Sequence, residues 1–455
     1  MSAGAGEKAR CSVCGIESSR PELFHRERRS FSTRVRQFCP QCWAQRRARG
    51  RRNRLRWWLA TAGLGAVFAI FFPKSSFGWG FLNLAWLDAC SMASVAPHEF
   101  AHAFTARALG FRVFRVLIGS GRTWWRGTVF GFDVEAKIYP FDGVAVAAPR
   151  ELRGARWKHF LFVLAGPLAN ALLLLLALAA LGSHEWWAGK LFFSGEFGGW
   201  RIFALANLII VVTNLWPHQV QTELGPLPSD GRQLLNSLFH RDRTLSQKQH
   251  ALYFLLEAMT CFEKHRSDEA RAWVERGLAV YPEDQTLRHY LPSVLIELGE
   301  LEAARGFLLP LLAEHPAPDV ARLTILNDIA YVDALLDTDQ FFDEADRYSA
   351  EALAAMPWNS ALQNTRGLAL LMLGRLDEAL PLLQTSAQVP REHADHTAQC
   401  LCILALAETR RGDLEAAERY CEEARLASPR CFLLPRAEAE LQAAREKVTG
   451  HSKSA

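Results

Sequence analysis

The sequence predicts a mainly α-helical protein: a polytopic membrane helical core of about four spans with a small β region, followed by a soluble helical repeat solenoid. Three observations carry this expectation. Four long apolar segments fall before residue 220, a stretch rich in Gly and β-branched residues separates the second from the third, and amphipathic segments with a recurring unit follow residue 250. The 455 residues leave room for about two to four domains, and the 50% hydrophobic content averages over very unlike regions.

The N-terminal region is the basic one. Residues 1–56 hold fifteen Lys and Arg against four Glu, a net of +11, so the rest of the chain must sum to −7 to reach the overall +4. The run from Arg46 to Arg56 is too long and too far along the chain for the start of a signal peptide. It reads as a cytoplasmic anchor that also attracts anionic membrane lipids; nucleic-acid binding is the competing reading. Within the same region, Cys11-x-x-Cys14 and Cys39-x-x-Cys42 form two knuckles twenty-four residues apart. That spacing suits a tetrahedral structural zinc better than disulfides in a cytoplasmic segment. Residues this few cannot build a sufficient core, so a metal would supply much of their folding free energy. His25 reads as a surface residue, and the other six cysteines show no ligand spacing.

The apolar segments run over Trp57–Phe72, about Gly80–Leu109, Trp157–Gly182 and Trp200–Trp216. Basic residues crowd before the first and again before the third, at Arg150, Arg153, Arg156 and Lys158. An even number of spans with this bias predicts a multi-pass protein with both termini in the cytoplasm. Asp88, inside the second segment, is expected near its outer end and is given no role. Residues 111–149 are punctuated by glycines and predict short strands. A strand edge there would accept an extended substrate segment by β-augmentation; a plain connecting sheet is the alternative.

After residue 250 a unit recurs in Gly299-Glu300-Leu301-Glu302-Ala303, Gly374-Arg375-Leu376-Asp377-Glu378-Ala379 and Gly412-Asp413-Leu414-Glu415-Ala416, with weaker copies at Ala270 and Ala345. Prolines follow at Pro282, Pro316, Pro357, Pro390 and Pro429. The pattern looks like a tetratricopeptide array, in which a small alanine lets paired helices approach and a proline ends each unit. Such arrays bind proteins or peptides, here a cytoplasmic partner; a structural cap is the alternative.

Chemistry concentrates at His98-Glu99-Phe100-Ala101-His102, within the second apolar segment. On a helix the two histidines share a face, so both imidazoles can reach one metal ion, with Glu99 beside the water such a site activates. The bland alternative is a polar pair on a helix, yet burying His and Glu among Phe, Trp, Ala and Val is costly without a compensating metal or charge. A catalytic zinc takes three protein ligands and keeps one position open, so a third ligand must come from elsewhere. Asp230, in Pro228-Ser229-Asp230-Gly231, is the candidate, and Glu223 the alternative.

Together, His98-Glu99-x-x-His102, Gly166-Pro167-Leu168-Ala169-Asn170 and Asn214-x-x-Pro217 followed by Asp230-Gly231 make the chain resemble the site-2 protease family over roughly residues 80–235. The resemblance implies an intramembrane zinc metalloendopeptidase with His98, His102 and Asp230 as catalytic zinc ligands and Glu99 as general base. It also implies a substrate-binding or site-shaping role for Asn170, and single-span membrane proteins as substrates, often in regulated intramembrane proteolysis. One departure stands out: the family keeps only a few residues between its Asn-x-x-Pro and Asp-Gly elements, whereas sixteen positions separate Asn214 from Asp230 here. The expected organisation is therefore a zinc-ribbon-like segment over 1–45, a basic juxtamembrane linker over 46–56, a membrane metalloprotease domain over 57–240, a tetratricopeptide-like domain over 250–445 and a tail over 446–455. Two other classes compete. One is an inactive membrane scaffold or receptor that holds cytoplasmic partners through its repeats. The other is a zinc transporter, which would need ionisable groups along a path rather than at one depth.

Overall fold

The computed structural model describes residues 9–18, 20, 23–28, 35–181, 192, 196–222, 225–239, 243–316, 319–388 and 394–452. They form two compact units, one of Arg46–Leu256 and one of Met1–Gln45 with Glu257–Ala455.

Helices dominate the Arg46–Leu256 unit. Helix α1 (Pro40–Phe71) begins in the cysteine-bearing segment and carries residues 46–56 as unbroken helix into the first apolar segment. It is followed by α2 (Ser76–Ala108), α3 (Ala155–Leu181) and α4 (Gly199–Leu215). Among the described residues, α3 is the one helix of at least 18 residues that is apolar enough throughout to cross a membrane, and α4 is apolar but shorter. The other two fall short for visible reasons. Arginines fill the first half of α1, while α2 interrupts its apolar run with Asn83, Asp88, His98, Glu99 and His102.

These polar residues are tied down rather than left in apolar surroundings. Asn83 donates to the carbonyls of Phe192 and Glu196 at 2.9 and 3.0 Å and accepts from the Gly198 N–H at 2.9 Å, fixing the start of α4. Asp88 pairs with Arg54 at 3.3 Å, and the Trp58 indole donates to the Ala85 carbonyl at 2.8 Å. Asp88 therefore lies level with the basic end of α1's apolar segment. This differs from the outer-end position expected from sequence, because Arg54 offers it a counter-charge there.

The glycine-rich region forms strands, as expected, but as two long ones, β5 (Phe111–Val129) and β6 (Phe132–Pro149). They follow four short strands of the N-terminal segment, β1 (Ala9–Arg10), β2 (Glu17–Ser18), β3 (His25–Arg28) and β4 (Val35–Phe38), which pair as β1–β2 and β3–β4. Val116, Leu117 and Ile118 pair both with Ala145, Val144 and Gly143 and with Val134, Glu135 and Ala136. The first half of β5 thus lies between the two halves of β6, leaving Gly143–Pro149 as an edge. The bend falls at Gly119 and Gly121, both at φ +90°, a conformation that strains any residue with a Cβ.

The remaining helices are α5 (Asp230–Phe239), α6 (Arg243–Glu263), α7 (Ser267–Val280), α8 (Gln285–Glu297), α9 (Leu301–Glu314), α10 (Val320–Leu335), α11 (Asp339–Ala355), α12 (Ser360–Met372), α13 (Leu376–Ala387), α14 (Ala394–Arg411), α15 (Leu414–Ala427) and α16 (Leu434–Ser452). From α6 to α15 they alternate as the first and second helices of a repeat. At each first-to-second turn one residue adopts the left-handed conformation, namely His265, Gly299, Asp337, Gly374 and Gly412. A fully buried alanine follows in each second helix, at Ala270, Ala304, Ala345, Ala379 and Ala417. Two of these lie one residue beyond the expected Ala303 and Ala416. Pro282, Pro316, Pro357 and Pro429 each stand two residues after such a helix ends, whereas Pro390 lies outside the described residues.

Candidate metal centre

His98, Glu99 and His102 stand on α2 and are each only 6% exposed. Their four-residue spacing stacks the two imidazoles on one face, with the Nε2 atoms 3.1 Å apart. Asp230, the first residue of α5, brings its Oδ2 to 3.1 Å from His98 Nε2 and 3.7 Å from His102 Nε2. Tetrahedral coordination with bonds of about 2.0–2.1 Å separates ligand atoms by roughly 3.3 Å, so these three donors fit one zinc ion and leave a fourth position open.

The opposite ring nitrogens are also engaged. His98 Nδ1 lies 2.6 Å from Asn170 Oδ1, and His102 Nδ1 lies 2.7 Å from the Phe162 carbonyl. Both oxygens accept, so each imidazole is held as the tautomer that keeps Nε2 free for a metal. Asn170 in turn donates to Asn207 Oδ1 at 2.9 Å, and Asn207 donates to the Phe203 carbonyl at 3.0 Å. Gly166 is required by crowding, since a Cβ there would lie 2.3 Å from His102 Nε2 and 2.5 Å from His98 Nε2. The Gly-Pro-Leu-Ala-Asn element on α3 therefore supplies both clearance for the rings and the acceptor that orients His98.

The long insertion before Asp230 folds back on itself. Strands β7 (Gln219–Thr222) and β8 (Gly225–Pro228) form a hairpin whose two ends are tied together. The Ser229 N–H donates to the His218 carbonyl at 2.9 Å, and the Ser229 hydroxyl donates to the Trp216 carbonyl at 2.7 Å. The chain thus re-enters the core almost where it left it. A Cβ on Gly231 would lie 1.8 Å from the Leu215 carbonyl oxygen, so the Asp-Gly pair permits α5 to start against the end of α4. At the other end of α5, Arg156 donates to the carbonyls of Ser237 and Leu238 at 2.5 and 2.6 Å. Glu223, the alternative ligand, lies outside the described residues.

Alongside the three donors lies a cavity of about 520 Å³, lined also by Glu99, by Gly143–Ala147 of the β6 edge, and by Asn214. The Glu99 side chain packs against Gly143 of that edge, where a Cβ would lie 2.6 Å from Glu99 Cγ. His159 and Gln233 line the same cavity. Sequence reasoning missed Asn207 and His159. The available signal was that an Asn or His in an apolar helix needs a polar partner.

A second cluster joins Cys11, Cys14, Cys39 and Cys42, whose sulfur atoms all lie within 4.8 Å of one another. Cys14 Sγ and Cys39 Sγ are 3.7 Å apart, the edge of a tetrahedron with Zn–S bonds of about 2.3 Å and far longer than a disulfide. The Cys39 N–H donates to Cys11 Sγ at 3.4 Å, a donor aimed at a thiolate ligand. The donor set fits a closed, structural zinc site. Among the described residues these two clusters are the only groups of three or more such side chains close enough to share an ion.

Residues 89–188 match Peptidase family M50, a span containing both the His98–His102 pair and Gly166–Asn170. The chain is also similar to a protein of Xylella fastidiosa (strain 9a5c) whose name proposes a zinc metalloprotease, with 32% identity over 115 residues, 22% of this chain and 26% of that relative. The chain thus spans about a quarter of the length of the relative it matches. Among solved structures, it is similar to a thermophilic TPR protein of Thermus thermophilus, at 21% identity and a TM-score of 0.34 over 42% of this chain and 99% of the other. It is also similar to a tetratricopeptide repeat protein of Parabacteroides merdae ATCC 43184, at 18% identity and a TM-score of 0.27 over 43% and 74%. The resemblance that the sequence motifs carry is borne out over residues 89–188 by the match to Peptidase family M50, and the four cysteines form the expected cluster.

Proposed function

We propose that the chain is an intramembrane zinc metalloendopeptidase that hydrolyses peptide bonds of membrane-spanning proteins, in the manner of regulated intramembrane proteolysis. The observation that carries this reading is the convergence of His98, His102 and Asp230 donor atoms, pairwise 3.1–3.7 Å apart, on a cavity that Glu99 also lines. These three residues would hold the catalytic ion, while Cys11, Cys14, Cys39 and Cys42 would hold a structural one. A bound zinc supplies Lewis acidity, activating water and polarising the scissile carbonyl. Glu99 takes the proton from the attacking water and returns it to the leaving amine, with its side chain packed against Gly143. Asn170, enclosed and bonded to His98, acts as a positioning residue through that histidine.

The β6 edge supports a route for substrate. A helical peptide bond hides its carbonyl from a nucleophile, so the segment to be cut must first be drawn out. Among the described residues, 143–147 pair with β5 on one side only, and the other side of this edge, beside Glu99, can take such a segment as an added strand. The four apolar segments, read as four spans with both termini in the cytoplasm, set the depth. The basic residues before the first segment put the cytoplasmic side at the end of α2 that carries His98, which favours cleavage near the cytoplasmic side. In this reading the substrates are single-span proteins, the basic arm meets anionic lipid, and the repeats hold a cytoplasmic protein or peptide.

The test is Glu99→Gln in detergent-purified protein against a panel of single-span substrates. We expect cleavage to fall by about 10²–10⁴-fold with metal content unchanged. A variant that still cleaves at the parent rate removes Glu99 as the base. A parent that holds metal but cuts none of the panel favours a binding role.

A further inference from the structure

Among the described residues, most of the buried apolar side chains of the four-cysteine segment pack on the repeats rather than on one another, Phe38 against Trp43 being the local exception. The segment's apolar residues Ala9, Cys11, Phe24, Cys39 and Cys42 are buried in one cluster with Leu323, Ala352, Ala355, Met356, Trp358 and Leu362 of the repeats, and Ile16 and Leu23 pack on the same cluster. Phe24 meets the Trp358 ring edge-on, with centroids 5.2 Å apart and planes at 86°. The Ser18 hydroxyl donates to the Ala355 carbonyl at 2.5 Å, where α11 ends. The repeat side of the contact is therefore the rim formed by Met356-Pro357-Trp358 between α11 and α12, together with Leu323 of α10.

Three of the four sulfur ligands lie inside this shared cluster. The ligands come in two pairs, Cys11 and Cys14 between β1 and β2, and Cys39 and Cys42 after β4. Joining those pairs is what presents Ile16, Leu23 and Phe24 as one apolar face. Without that joint, two two-stranded ribbons remain, and ribbons of this size are not stable alone.

We propose that the four-cysteine segment is a metal-dependent clasp on the repeat array: ion binding by Cys11, Cys14, Cys39 and Cys42 and docking onto the Met356–Trp358 rim are thermodynamically linked. The repeat rim is one part of the metal site's stability, and metal loss uncovers that rim. Linkage is reciprocal: the factor by which bound metal strengthens docking is the factor by which docking strengthens metal binding, so a variant that weakens docking must lower metal affinity. A freestanding zinc ribbon tethered to the repeats shows no such coupling.

The experiment uses the full chain in detergent and cobalt(II) as the probe, because the thiolate-to-cobalt absorption band reports the cysteine site without interference from the His and Asp donors. Cobalt affinity is compared in the parent, Trp358→Ala and Phe24→Ala. Coupling energies between sites commonly correspond to about 5–150-fold, and a loss in that range is expected in both variants. Phe24→Ala leaves the repeat sequence intact and guards against a fold defect in Trp358→Ala. In parallel, hydrogen exchange over residues 352–362 of the parent should accelerate when a chelator removes the metal. Parent-like cobalt affinity in Phe24→Ala, or exchange over 352–362 indifferent to metal, overturns the proposal.

Discussion

In the helical core, His98, His102 and Asp230 turn three donor atoms toward one point, whereas in the repeats several ionisable side chains are paired off with single neighbours. There His265 Nδ1 meets Asp395 at 2.9 Å, Gln399 donates to Glu297 at 2.7 Å, Tyr331 donates to Gln399 at 3.2 Å, and Arg305 meets Asp333 at 2.6 Å. Both regions take carboxylate side chains out of water and give them polar partners. The difference is convergence. In the repeats these contacts are pairwise, with Asp333 Oδ2 left without a hydrogen-bond partner, and among the described residues none of these sets brings three ligand atoms together. In the core the imidazoles have their Nδ1 atoms occupied and their Nε2 atoms left aimed at a shared space beside an open cavity. Buried polarity alone marks a cost that has been met; aimed and unspent donors mark a site.

The largest expected effect breaks that convergence. Asp230→Ala removes one of three donors, and the full chain should lose about one equivalent of zinc, with proteolysis falling to background. The matching change in the repeats, Asp395→Ala, should leave zinc content untouched. Metal analysis of the two purified variants decides it. A core that keeps its zinc without Asp230 would hand the third position to another side chain, with Glu223 first in line.

How much of this was legible in the sequence depended on how far apart the partners lie. His98 and His102 could be read directly because helical periodicity fixes their geometry within one turn. Asp230 could be named from its motif, but not why sixteen positions still deliver it to the site. That depends on a hairpin closed by Ser229 hydrogen bonds, which leave no pattern. The His98–Asn170–Asn207 chain spans three helices and was invisible as a chain, although Asn170 could be singled out. The repeats were legible as a period, yet Leu-Glu-Ala-Ala carries two adjacent alanines, and helix phase buries Ala304 rather than Ala303 in one unit and both Ala416 and Ala417 in another. Packing of the cysteine segment on Trp358 pairs residues more than three hundred positions apart and had no sequence signal.

Asn170→Ala sharpens the comparison at the next level down, because it leaves every donor in place and loosens only the aim of one. Removing the partner of a ligating histidine commonly weakens metal binding by about 10–100-fold. Zinc competition with a graded chelator should show a loss of that size, and excess zinc should restore most of the turnover. If Asn170 touches substrate instead, zinc affinity stays at the parent value and KM alone rises. That split separates a residue acting through His98 from one acting on the peptide.

The smallest effect lies in the repeats, where satisfaction without convergence should read out as stability. Burial first, and then the neighbouring Asp395, push the Glu297 carboxyl up to about 7, against the opposing pull of the Gln399 amide and His265. The unfolded chain titrates this group at about 4.3. A pKa raised on folding means that the stability tied to the protonated form is fully present below about pH 4.3 and is lost as pH rises through about 7. Glu297→Gln keeps an acceptor for Gln399 and removes the charge. It should therefore flatten the decline in repeat stability between pH 5 and pH 8 and leave the variant more stable at pH 8 by about 1–2 kcal/mol, allowing for partial hydration of the group. Hydrogen exchange of α8 and α14 across that pH range measures it. Identical slopes in parent and variant would mean that Glu297 is solvated well enough to titrate normally, and that the repeat interior does not hold it as tightly as the Gln399 contact implies.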